Sequence, residues 1–132
     1  MVPGPVLSQD DRTPGALLDM AERLLRRADP DTAGLWPRAS ALLALEALEA
    51  SVERLWERQG LVFQGCLMRT QLICLRSYLD DARFAARTGH AWSALSRACH
   101  HHPYELAPTA GELQAWFSVV RELTRASSTS GS

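Results

Sequence analysis

Ala41, Leu45, Leu48, Val52 and Leu55 recur at alternating steps of four and three residues. That spacing lays one apolar stripe along a helix and forms the seam of a tightly packed bundle. Pro37 suits the opening of such a helix and Gly60 its end, so the pattern predicts a helix over about 38–59. A stripe of this kind must be covered, and the rest of the chain offers mainly further helices to cover it.

Upstream, Thr13 can N-cap a helix with Pro14 at its first position, running to about Ala28. Leu17, Leu18, Met20, Ala21, Leu24 and Leu25 supply its apolar side. Asp29-Pro30-Asp31 ends it and Ala33-Gly34-Leu35 forms a connector. Downstream, a third helix is predicted over about 66–78, with Leu67, Leu72, Ile73, Leu75, Tyr78 and Leu79 as apolar candidates. Asp80 or Asp81 can cap a fourth, whose stripe is Phe84, Thr88, Ala91, Trp92, Leu95, Ala98 and Cys99. Gly89 inside it marks a kink or a break, and Pro103 ends the helix at or before His102. After a loop over 104–108, Thr109-Ala110-Gly111-Glu112 has the form of a capping box. It opens a last helix to about Ala126, with Leu113, Trp116, Phe117, Val120 and Leu123 facing inward. No strand-like alternation, internal repeat or Gly-rich phosphate loop interrupts this pattern. The expected fold is all-α, five helices in one bundle, with residues 1–13 and 127–132 as disordered termini around a single domain at 14–126.

The 132 residues suffice for one core and not two. A net charge of −1 excludes a global basic field, so any RNA contact must come from a local cluster. All 14 basic residues are Arg, a skew that a GC-rich genome explains most simply. The three cysteines Cys66, Cys74 and Cys99 show no CxxC spacing, and an odd count argues against a secreted disulfide framework. The first residues lack a basic n-region and an apolar h-region, and no apolar run approaches the roughly 18–20 residues that span a bilayer. A soluble cytoplasmic protein with reduced cysteines and no membrane contact is expected.

The chemistry concentrates in Ser96-Arg97-Ala98-Cys99-His100-His101-His102-Pro103, an arginine and three consecutive histidines at a helix end. Arg grips phosphate through a permanent planar charge, and His changes protonation near neutral pH. His90, Ser93, Arg97, His100 and His101 recur on or near one helical face. His102, five residues after Arg97, stands about 140° away on an ideal helix, and is freed to turn back only if the helix stops there. Together the groups suit metal-independent RNA cleavage: a base takes the ribose 2′-OH proton, the oxygen attacks the adjacent phosphate, and the cation stabilises the added charge. Against this stands a structural reading, since Arg and His near a helix C-terminus complement its dipole and bind free carbonyls. A metal site at Cys99–His102 is disfavoured because consecutive helical residues point about 100° apart and no four-residue His spacing is present. No cofactor fingerprint, Ser-His-Asp arrangement or basic recognition helix is present.

Glu46, Glu49, Glu53 and Glu57 form a second group, a ridge of like charge on the second helix. It reads as a solvated face partly neutralised by Arg54 and Arg58, or as a source of a carboxylate, Glu46 before Glu49, that orients Arg97 across the bundle. Trp36, Trp56, Trp92 and Trp116 could stack on bases, but all lie on or beside apolar stripes and suit packing better.

Arg97-x-x-x-x-His102 at the end of an inner helix resembles the R-x(4–6)-H motif of the HEPN superfamily. Ala41-Leu-Leu-Ala-Leu-Glu-Ala-Leu-Glu-Ala50 resembles the Ala/Leu/Glu-rich early helix of those proteins, and Trp92 to Val120 is similar to their closing helices. The resemblance covers roughly 38–124. It implies an up-and-down helical core, here with an extra N-terminal helix, that usually dimerises and sets two Arg/His pairs across a shared cleft. Many such proteins are metal-independent ribonucleases of toxin–antitoxin or defence systems. Others are non-catalytic modules that bind a partner protein or nucleotide, often beside a nucleotidyltransferase. Carried onto this chain, Arg97 would hold phosphate and His102 would act as general acid/base, with His100, His101 and Glu46 as accessory groups. Ala98 stands where active members commonly have a polar residue, and Arg83-x6-His90 is a second match to the spacing. The resemblance thus implies a homodimer acting on RNA, with an antitoxin or nucleotidyltransferase-type partner.

Overall fold

The computed structural model describes residues 13–27, 36–61, 63, 65–100 and 107–128. These form an all-α bundle of five helices: α1 (Pro14–Arg26), α2 (Trp36–Arg58), α3 (Met68–Tyr78), α4 (Ala82–Cys99) and α5 (Ala110–Ser128). The tracts 1–12, 28–35, 101–106 and 129–132 lie outside the described residues, and with them the expectations of a disordered N-terminus, of the 33–35 connector and of most of the 104–108 loop. No described helix is long and apolar enough to cross a membrane.

The sequence explains where the helices begin and end. Thr13 accepts the Ala16 N–H at 3.2 Å, with Pro14 in the first turn, where its missing N–H costs nothing. Of the two aspartates offered for α4, Asp81 is the cap and accepts the Phe84 N–H. The α5 capping box closes in both directions: Glu112 N–H donates to Thr109 Oγ1 and Thr109 N–H to Glu112 Oε1, each at 3.1 Å. At the end of α2, Gly60 adopts φ +71, Leu61 N–H reaches Trp56 O and Gly60 N–H reaches Glu57 O. This paired arrangement is a Schellman motif, and its left-handed residue favours glycine.

Helix α2 is the centre of the bundle. It packs on α1, α4 and α5 and only slightly on α3, which rests mainly on α4. Its expected stripe is partly right: Ala41, Leu48 and Val52 are fully buried, while Leu45 and Leu55 are half-buried. A second buried set, Ser40, Ala44, Ala47 and Ser51, runs beside it at helical spacing. Small side chains there let α1 come close, and Ser40 Oγ donates to Ala21 O at 2.8 Å. The Ser51 hydroxyl is satisfied within its own helix by Ala47 O. Around this centre Leu18, Leu95, Leu113, Leu123 and Val120 are completely buried, each worth about 1.5–3 kcal/mol of transfer free energy.

Several expectations are corrected. Helix α3 starts at Met68, two residues late, because Gly65 (φ +86) and the Cys66 N–H to Phe63 O bond hold a turn before it. Leu67 and Ile73 are exposed rather than packed, and Tyr78 is half-exposed with its ring edge on Trp56, since α3 is covered by neighbours on little more than one side. Gly89 does not break α4, which runs continuously to Cys99. The expected disordered tail begins too early: α5 includes Ser127, which is buried, and Ser128. Arg58 Nη1 supports this end by donating to Ala126 O at 3.1 Å and Ser127 O at 3.0 Å, supplying cationic donors to terminal carbonyls.

Candidate functional site

Five of the fourteen arginines lie on two neighbouring helices that carry no acid of their own. Arg69 and Arg76 lie on α3, Arg83, Arg87 and Arg97 on α4, and neither helix contains an Asp or Glu. All five are exposed. Arg87 is answered by Glu122 of α5 at 3.1 Å and lies over the Phe84 ring. Among the described residues, Arg69, Arg76, Arg83 and Arg97 have no ion-pair partner.

On each helix the charges fall into line. Arg83, His90 and Arg97 are seven residues apart on an unbroken helix, so they share a face at intervals of about 10.5 Å along the axis. Arg69 and Arg76, also seven apart, border the shallow groove between α3 and α4. That groove encloses about 130 Å³, with Ile73 and Trp92 as apolar walls and Gly89 and Ser93 on the α4 side. Trp92 is fixed by donating its Nε1–H to Glu49 Oε1 at 3.1 Å. Arg83 and His90 are therefore two points along one continuous helix, two turns apart.

At the other candidate pair, Arg97 sits exposed in the last turn of α4 and His100 is the C-cap, its N–H donating to Arg97 O and Ser96 O. The predicted stop before Pro103 is correct. His101 and His102 lie outside the described residues. The start of α2 meets the end of α4, so Arg38, Glu46 and Glu49 surround the half-buried Cys99 thiol. Burial raises the Cys99 pKa, Arg38 opposes this, and Glu49 and Glu46 add to it, which favours the neutral thiol. Neither glutamate bonds to Arg97 among the described residues: Glu49 orients Trp92 instead, and Glu46 is exposed.

The ridge is a solvated face as read from the sequence, with Glu46, Glu53 and Glu57 exposed. The expected partial neutralisation by Arg54 and Arg58 does not take the form of ion pairs among the described residues. Arg58 is committed to α5 carbonyls, and Arg54 lines a cleft beside Arg121 and Arg125. The tryptophans behave as packing residues: Trp56 is 2 % exposed, and Trp92 and Trp116 are half-buried against the core. The side chain of Trp36 lies outside the described residues. No three His, Cys, Asp or Glu side chains converge as a metal site among the described residues.

Arg69 and Arg76 were missed because attention to motifs favours clustered unusual residues. The usable signal was the absence of any acid between Met68 and Tyr78 and between Ala82 and Cys99. No family model, curated protein or solved structure matches this chain.

Proposed function

We propose that the α3–α4 side of the bundle binds RNA through its phosphate backbone. The carrying observation is the four exposed arginines, Arg69, Arg76, Arg83 and Arg97, set without an ion-pair partner among the described residues on two helices that contain no carboxylate. Guanidinium groups spaced along a helix suit a row of phosphates, and the molecule's net charge of −1 makes this local track the site of attraction. The half-exposed Trp92 and the exposed Ile73 give bases an apolar edge in the groove, which favours single strands over duplex.

A second reading adds cleavage at the end of α4. Arg97 is exposed there with His100 one residue beyond the helix, and the HEPN resemblance assigns Arg97 to phosphate and His102 to proton transfer. In that reading two copies pair to form the cleft. The non-catalytic alternative, a dimerising module that binds a partner, is favoured by the apolar side chains of Leu42, Leu67, Ile73 and Tyr78 left in solvent.

One experiment separates these. Labelled single-stranded RNA is incubated with the protein in excess EDTA and read by anisotropy and on a denaturing gel, with Arg97→Ala and His102→Ala alongside. Binding without cleavage establishes the module. Cleavage lost in both variants establishes the nuclease. No binding at low salt refutes the proposal.

A further inference from the structure

The acidic end of α2 faces a cavity whose chemistry is opposite to that of the α3–α4 track. A cleft of about 460 Å³ opens between the last turns of α2, the segment following Gly60 and the first turn of α3. Trp56 and Phe63 form one wall, ring centroids 4.5 Å apart and inclined at 39°. Glu53 and Glu57, one helical turn apart and both exposed, supply its rim.

The wall is preset. Trp56 Nε1–H donates to Gln71 Oε1 at 3.1 Å, and Gln71 Nε2 donates to Cys66 O at 3.0 Å. The edge of Tyr78 packs on Trp56 with centroids 5.1 Å apart. The polar atoms of Trp56 and Gln71 are thus spent on each other and on the backbone, so the charge offered to the cavity is that of the two carboxylates. Those carboxylates repel one another across one turn and lack an ion-pair partner among the described residues; Arg58 is committed to the α5 carbonyls, and Arg54 borders the cleft that Arg121 and Arg125 line.

An aromatic wall beside two unanswered carboxylates is the chemistry that takes an organic cation: the ring quadrupole and the anions attract the same charge, while the apolar lining accepts its alkyl part. We infer that this cavity binds a single cationic head, guanidinium or alkylammonium, carried on a short alkyl chain. The head sits between Glu53 and Glu57 and the chain lies along Phe63. Such a head can belong to a free small molecule or to a side chain of a peptide.

The test uses the full chain and follows the Trp56 indole N–H resonance during titration. Butylguanidinium serves as the free cation, N-acetyl-arginine amide as the peptide surrogate and butylurea as the neutral isostere. The expected result is saturable displacement of the resonance by the cations in the roughly millimolar range, and none by butylurea. Glu53→Gln/Glu57→Gln is expected to weaken binding by about tenfold or more, and Phe63→Leu by a smaller factor. The tighter of the two cations identifies the source. Equal binding of butylurea, unchanged affinity in the double glutamine variant, or no displacement by either cation would overturn the inference. The glutamine variant alters only exposed side chains, so its folding does not confound the result.

Discussion

On the α1–α5 side, Arg121 donates to Asp19 at 2.7 Å and to Glu22 at 3.1 Å, tying two helices that are a hundred residues apart in sequence. On the α3–α4 side, Arg69, Arg76, Arg83 and Arg97 point at no carboxylate among the described residues. The same side chain therefore staples α5 to α1 at Arg121 and stands without an ion pair along α3 and α4. It also does so, among the described residues, at the exposed Arg23 and Arg26 of α1, where Asp19 and Glu22 supply acid on the same helix. Packing differs in the same sense. Helix α1 lies close along the small-residue face of α2, whereas α3 meets α2 chiefly at Trp56, through Gln71 and Tyr78, and keeps Ile73 in solvent. One half holds the fold together, and the other has surface to spare for a ligand.

That contrast can be broken first by stability. Leu48→Ala in the fully buried centre should cost about 2–5 kcal/mol in denaturant unfolding, whereas Ile73→Ala on α3 should stay within about 0.5 kcal/mol. A large loss at Ile73 would show that α3 is covered by something else, such as a second copy. Next, Thr109→Ala should cost about 1 kcal/mol by removing the oxygen that accepts the Glu112 N–H. Arg121→Gln should cost less than about 1 kcal/mol, because its partners are partly in water. Equal costs for Arg121→Gln and Arg83→Gln would erase the distinction between stapling and free arginines.

A finer probe is thiol reactivity. Cys66 is exposed and should be alkylated readily, while Cys99 should lag until the solution is more alkaline than an ordinary thiol requires. A folded-state pKa raised above the unfolded one favours the neutral thiol. Its contribution to stability is complete below the unfolded pKa and is lost as pH rises through the folded one. Iodoacetamide labelling followed by mass spectrometry reads both effects. Faster labelling at Cys99 than at Cys66 would contradict the packing of α4 against α2.

What could be read in the sequence was local. The Thr13, Asp81 and Thr109–Glu112 caps and the Gly60 stop need only residues a few positions apart, and each appears as expected. The central role of α2 was half visible: Leu48 and Val52 announce one buried face, but Ala44, Ala47 and Ser51 look neutral until a neighbour is known. The charge network was invisible because its pairs are distant, as with Arg58 and the α5 carbonyls. That is why Arg58 was expected to help neutralise the glutamates next to it in sequence and instead serves the end of α5. Of the candidate site, the helix end and the exposure of Arg97 were legible; the flanking arginines of α3 emerged only once α3 lay beside α4.

If the α3–α4 arginines are phosphate contacts, salt dependence counts them. Affinity for a labelled single-stranded RNA is measured by anisotropy across a salt series, for the wild type and for R69Q/R76Q/R83Q/R97Q, with circular dichroism to confirm folding. Each lost contact should flatten the log–log slope by about 0.7, so the quadruple variant should be shallower by about 3 and bind far more weakly. An unchanged slope in a folded quadruple variant, or an equal change on replacing Arg54, Arg121 and Arg125 instead, would contradict that role.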